Sequence, residues 1–219
     1  MLIEVFADFS CPWCFIGRRR LARALALRPQ LTMQTVWQPF QLNPEIPVEG
    51  IDRRQRLLGK LGDFDRLGAM ERALEESGGK DGIHFKFDLI QRIPNTMAAH
   101  RLMRFAARAE RDEVLADRLF SGFFERGEDI GNIPILAAAA GEVGLNAASA
   151  LAFLMGNEET DAVTSIDALG HQSGISGVPY FIFERRYALA GAQEPASFLP
   201  LFDALLVSED DQMTASSMI

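Results

Sequence analysis

The stretch Leu2-Ile3-Glu4-Val5-Phe6-Ala7-Asp8-Phe9-Ser10-Cys11-Pro12-Trp13-Cys14 decides how this chain folds. Ile3, Val5, Ala7 and Phe9 alternate with Glu4 and Asp8, which is the two-residue period of a β-strand. Leu2 and Phe6 make the opposite face apolar as well, so the strand is expected inside a sheet, covered on both sides. A helical pattern follows over residues 13–27. Pro12 suits the first turn of that helix, where its missing N–H has no intrahelical partner. Residues 31–42, rich in Thr, Val, Trp and Phe, read as a second strand. Strand, helix and strand in this order predict a βαβ unit with a parallel pair.

Further along, the pattern changes. Residues 51–157 read as helices separated by Gly, Asn and Pro, with examples at 63–76, 95–110, 112–126, 133–143 and 147–156. Asn95 and Asn132 stand where helix N-caps belong, and Pro134 falls just inside the second of these helices. A short run at 84–89 is ambiguous between strand and helix. The α/β pattern then returns: a helix over 159–169, a glycine-containing turn, a strand over 179–183, and a second strand over 187–190 that makes an antiparallel hairpin. A helix over 195–207 closes the domain. The expected organisation is a discontinuous α/β domain over 1–50 and 158–207, a helical insertion over 51–157, and a disordered polar tail over 208–219.

The chain has 219 residues, 48% of them apolar, and a formal net charge of −8. That balance argues against a nucleic-acid partner, which needs a positive surface. Arg18-Arg19-Arg20 and Arg53-Arg54 are expected to be solvated helix faces. No stretch approaches the roughly 20 apolar residues of a membrane span. The N-terminus lacks a charged segment followed by a long apolar run. The sequence therefore predicts a cytoplasmic protein with no membrane partner.

Two cysteines are present, three positions apart. A bridge between them closes a tiny loop and adds little stability through chain entropy. In a reducing compartment such a pair is better explained as chemistry than as a staple. Zinc takes about four ligands, and the chain has no second cysteine pair, while His84, His100 and His171 are scattered; no metal is expected. A dithiol exchanger needs a nucleophilic thiolate and a second thiol within reach of it. Cys11 at the helix N-terminus would have its thiolate favoured by the amides and the helix dipole, and Cys14 would lie one turn inside. Cys11 is thus the candidate nucleophile and Cys14 the resolving thiol. Pro12 restricts the loop, and Trp13 offers apolar surface beside the sulfurs. Asp8 or Glu4 could take a proton from Cys14 if buried nearby, although a solvated or salt-bridged carboxylate is the plainer reading. Trp37, Phe40 and Tyr180 could line a groove, with core packing as the default. His100 and His171 read as packed or surface histidines.

The segment from Asp8 to Gly17 resembles the active-site segment of DsbA-like oxidoreductases of the FrnE type. The similarity continues through Trp37-Gln38-Pro39-Phe40-Gln41-Leu42-Asn43-Pro44, Pro94-Asn95-Thr96 with Ala99-His100, Gly174-Ile175-Ser176-Gly177-Val178-Pro179-Tyr180-Phe181 and Gly191-Ala192-Gln193, covering about residues 2–207. The resemblance implies an α/β, thioredoxin-like fold with a large all-helical insertion and thiol–disulfide exchange with proteins or small thiols. It also implies a cis Val178-Pro179 bond facing the cysteines, with the Val178 main chain offered to an extended substrate. No cofactor is expected beyond a Cys11–Cys14 disulfide, with glutathione as a possible co-substrate. The same insertion architecture belongs to 2-hydroxychromene-2-carboxylate isomerases and kappa-class glutathione transferases, which give the alternative function. Those enzymes typically carry serine where this chain has Cys11.

Overall fold

The first strand, β1 (Leu2–Ala7), leads into helix α1 (Pro12–Ala26), and the chain returns along β2 (Gln34–Pro39), parallel to β1 with Val5 opposite Trp37. The computed structural model describes residues 1–216, with side chains through Leu206. The insertion follows as β3 (Ile51–Asp52), α2 (Arg53–Leu61), α3 (Phe64–Gly79), a 3₁₀ turn (Phe87–Leu89), β4 (Arg92–Ile93), α4 (Met97–Ala107), α5 (Asp112–Arg126), α6 (Ile133–Glu142) and α7 (Ala147–Met155). Helix α8 (Thr160–Gln172) leads back to the sheet, where β5 (Tyr180–Phe183) and β6 (Tyr187–Ala190) form the expected antiparallel hairpin. β5 pairs antiparallel with β1, giving the order β2-β1-β5-β6.

β1 is therefore an inner strand, as its pattern predicts. Ile3, Val5 and Ala7 are buried, while Leu2, Glu4 and Phe6 are only half-buried. Gly170 of α8 lies against the Phe6 ring: a Cβ there would meet it at 3.2 Å. The absence of a side chain at Gly170 lets α8 settle onto that second face.

Several local expectations need correcting. The run at 84–89 is no strand; it ends in the 3₁₀ turn, and the pairing in this region is the short β3–β4 ladder, Ile51 opposite Ile93. Helix α2 has no counterpart in the sequence reading, because it is only nine residues long and carries three leucines; Asp52 caps it, accepting the Gln55 N–H at 2.7 Å. Asn132 caps α6 as expected, but the N-cap of α4 is Thr96, one residue beyond Asn95. Asn95 still accepts the Met97 N–H at 3.0 Å. The last helix, α9, spans Pro195–Ser216 instead of stopping at Val207. No Gly or Pro interrupts the polar stretch after Val207; residues 217–219 of the expected tail lie outside those described.

Arginines on α1 are not the solvated face that a charge run suggests. Arg20 is buried, with Nε donating to Asp81 Oδ2 at 2.7 Å and Nη1 to the Ala192 carbonyl at 2.7 Å. Arg18 reaches Glu113 of α5 at 2.7 Å, and Arg53 pairs with Glu71 of α3 at 2.7 Å. Arg53 joins α2 to α3 within the insertion, and Arg18 and Arg20 bind α1 to it. Aromatic packing does the same: Phe15 stacks on Phe120 at 5.4 Å, and Phe120 also meets Phe9 at 4.9 Å. Burying each such ring is worth about 1.5–3 kcal/mol, so the insertion and the cysteine-bearing helix share one core.

Candidate active site

β1 ends at Ala7, and the chain turns at once. The Cys11 N–H donates to the Asp8 carbonyl at 3.0 Å, which brings Cys11 to the N-cap of α1 with extended φ −93° and ψ 113°. Pro12 opens the helix, and the Cys14 N–H closes onto the Cys11 carbonyl at 3.0 Å. One turn of backbone thus carries Cys14 behind Cys11. Both are buried, Cys14 almost completely. Trp13 between them is 43% exposed, so it forms apolar surface on the rim.

The second half of the site arrives from the other end of the sequence. Val178-Pro179 is a cis peptide bond just before β5, and the Cys11 Sγ lies 3.5 Å from the Val178 carbonyl oxygen. Val178 is half-buried and Pro179 buried. The structure therefore brings Cys11, Pro12, Trp13, Cys14, Val178 and Pro179 to one place.

Beneath them sits Asp8, which is 1% exposed. Its Oδ1 accepts the Ser10 N–H at 2.9 Å and the Ser10 hydroxyl at 3.0 Å; its Oδ2 accepts the Leu42 N–H at 2.7 Å. The Thr96 hydroxyl is a further partner. Burial nevertheless raises the Asp8 carboxyl above its ordinary value, because these donors only partly replace lost water. The Cys14 thiol is pushed well above the usual thiol range, first by burial, then by its hydrogen bond and charge interaction with Cys11. A main-chain contact with Asp8 opposes the rise and the Asp8 charge adds to it. Cys14 therefore holds its proton at neutral pH.

The other candidates separate cleanly. Glu4 is held by Gln38 Nε2 at 3.0 Å and faces Arg185 at 3.6 Å. Trp37 and Phe40 are core residues. His100 is buried against Phe9 at 5.3 Å, and burial lowers its pKa to about 4, so it is neutral at pH 7. His171 is exposed and packs at a tilt against Phe40, ring centroids 4.1 Å apart. Open grooves of about 750 Å³ beside α2 and α3 and about 730 Å³ along β2 contain neither cysteine.

The chain matches the DSBA-like thioredoxin domain over residues 2–202. It belongs to that family. Its helical insertion and inner strand conform to the DsbA-like thioredoxin fold. It is 28% identical over 183 residues to the uncharacterized protein YwbO of Bacillus subtilis (strain 168), covering 82% of this chain and 85% of that one. Among solved structures, the probable DsbA oxidoreductase SCO1869 of Streptomyces coelicolor superposes with a TM-score of 0.83 at 28% identity, covering 90% of this chain and 86% of that one. The cytosolic disulfide reductase DsbM of Pseudomonas aeruginosa, solved with GSH, shares the fold, with a TM-score of 0.65 at 17% identity and coverage of 98% and 100%.

Gly17 and Thr96 also lie at this DsbA-like site, against Pro179 and Asp8, partners too far away in sequence for a local pattern to reveal. Among the described residues no helix is long and apolar enough to cross a membrane.

Proposed function

We propose that this protein is a cytoplasmic thiol–disulfide oxidoreductase working through Cys11 and Cys14. The observation that carries the reading is the placement of Cys11 at the positive end of α1, beside the Val178 carbonyl, with Cys14 buried one turn behind. Cys11, at the helix N-terminus beside the 178–179 loop, supplies the attacking sulfur as its thiolate. That sulfur attacks a substrate disulfide; one substrate sulfur leaves as a thiolate, and a mixed disulfide forms at Cys11. Cys14 then loses its proton and attacks the Cys11 sulfur. The second substrate thiol departs, and the substrate has gained two electrons while Cys11–Cys14 has become a disulfide. Two equivalents of a small thiol such as glutathione would restore the dithiol, leaving glutathione disulfide.

The order of events is built into the electrostatics. Two of the influences that hold the Cys14 proton come from the Cys11 sulfur itself. Both weaken once that sulfur is tied up in the mixed disulfide, so Cys14 becomes easier to ionise at the step that needs it. Pro12, Trp13, Val178 and Pro179 contact the substrate, Val178 through its main chain. Trp13 forms an exposed apolar rim beside the sulfurs, which suits a disulfide carried on a polypeptide. Glutathione-dependent isomerisation gives Cys14 no task.

Insulin-disulfide reduction by wild type, Cys11→Ser and Cys14→Ser tests the reading. Cys11→Ser should be inactive, and Cys14→Ser should accumulate mixed disulfide. Full activity in Cys11→Ser would end it.

A further inference from the structure

Gly17 lies on α1, one turn after Cys14, and is buried beneath Pro179. A methyl group on its Cα would come within 2.7 Å of Pro179 Cγ, 3.4 Å of Pro179 Cβ and 3.3 Å of Phe181 Cζ. Carbon atoms pack comfortably at about 3.5–4.0 Å, so something would have to move. Phe181 cannot easily do so, being fully buried in β5 opposite Val5. The Pro179 ring is fused to its own main chain, and that main chain continues directly into the Val178 carbonyl. Adding a side chain at Gly17 therefore pushes the 178–179 loop away from α1 and lengthens the 3.5 Å approach of Val178 to Cys11. Helix propensity does not explain a glycine here, since it is unfavourable in a helix interior.

We propose that Gly17 is a positioning residue that determines specificity, on the exchange reading given above. By letting the loop rest on α1, it keeps the Val178 main chain in register with the Cys11 sulfur. A disulfide on an extended polypeptide docks on that main chain and is delivered to the sulfur. A small disulfide makes no such contact and reaches Cys11 without it. Gly17 touches no reacting atom.

The test compares Gly17→Ala with wild type on two substrates, a disulfide-linked peptide and bis(2-hydroxyethyl) disulfide. For the peptide, kcat/KM should fall about tenfold or more, mainly through KM, while the small disulfide changes by less than about twofold. Loss of folded protein lowers both rates alike, so the ratio of the two kcat/KM values reports the loop rather than the folded fraction. If Gly17→Ala yields little protein, both rates are measured on the folded fraction recovered by size exclusion, since their ratio does not depend on the amount of enzyme. Gly59→Ala, on a helix where a Cβ meets nothing within 4 Å, should leave the ratio unchanged. An unaltered ratio in Gly17→Ala overturns the proposal. A wild-type protein that reduces neither substrate overturns the exchange reading itself.

Discussion

The sulfur of Cys11 lies 3.5 Å from the carbonyl oxygen of Val178, across 167 positions of sequence. Cys14, only three positions away, is turned inward and sealed. This asymmetry predicts how the two thiols react. Iodoacetamide at neutral pH should label Cys11 and spare Cys14, as read by peptide mapping. In Cys11→Ser the neighbouring sulfur no longer helps to hold the Cys14 proton. Cys14 should then begin to react at lower pH than in wild type. Equal labelling of both thiols in wild type would contradict the assignment.

Asp8 should leave its mark on stability against pH. Its carboxyl is raised in the fold from an ordinary value of 3.8, so the native state holds that proton more tightly than the unfolded chain. Its titration contributes stability that is complete below 3.8 and is lost as pH rises through the raised value. Asparagine carries no such dependence. The stability of wild type minus that of Asp8→Asn should therefore decline from acid towards neutral pH, measured by urea unfolding. Parallel curves would show that Asp8 is not held protonated by its burial.

Much of this site is local and so was legible in the sequence. The period of β1, Pro12 at the start of a helix and the three-residue spacing of the cysteines are all short-range features. The charge run on α1 was misread, because Arg20 looks the same in sequence whether it faces water or a buried Asp81. The bonds of Asp8 to Leu42 and Thr96, and the seat of Pro179 on Gly17, join residues far apart along the chain. Nothing in periodicity or spacing encodes those pairings. Helix α2 escaped notice for a different reason: it is nine residues long with three leucines, none of them buried, too short a run to stand out among its arginines.

Asp81 tests how the insertion is held to the cysteine-bearing helix. Its side chain is nearly sealed and is shared by Arg20 and Arg23. Asp81→Ala removes the buried carboxylate but leaves Arg20 paired with Glu194 at 2.9 Å, and should cost about 1–3 kcal/mol, read from denaturant unfolding. Arg23 is largely exposed, so Arg23→Ala should cost less than about 1 kcal/mol. Similar losses for the two variants would mean that the pairing does not clamp α1 to the insertion.

The most direct trial of the central claim is to trap the intermediate. Reduced Cys14→Ser protein, mixed with glutathione disulfide or a disulfide-linked peptide, should gain one covalent adduct, and peptide mapping should place it on Cys11. Absence of any adduct, or equally rapid capture by Cys14 in the Cys11→Ser protein, would contradict the account.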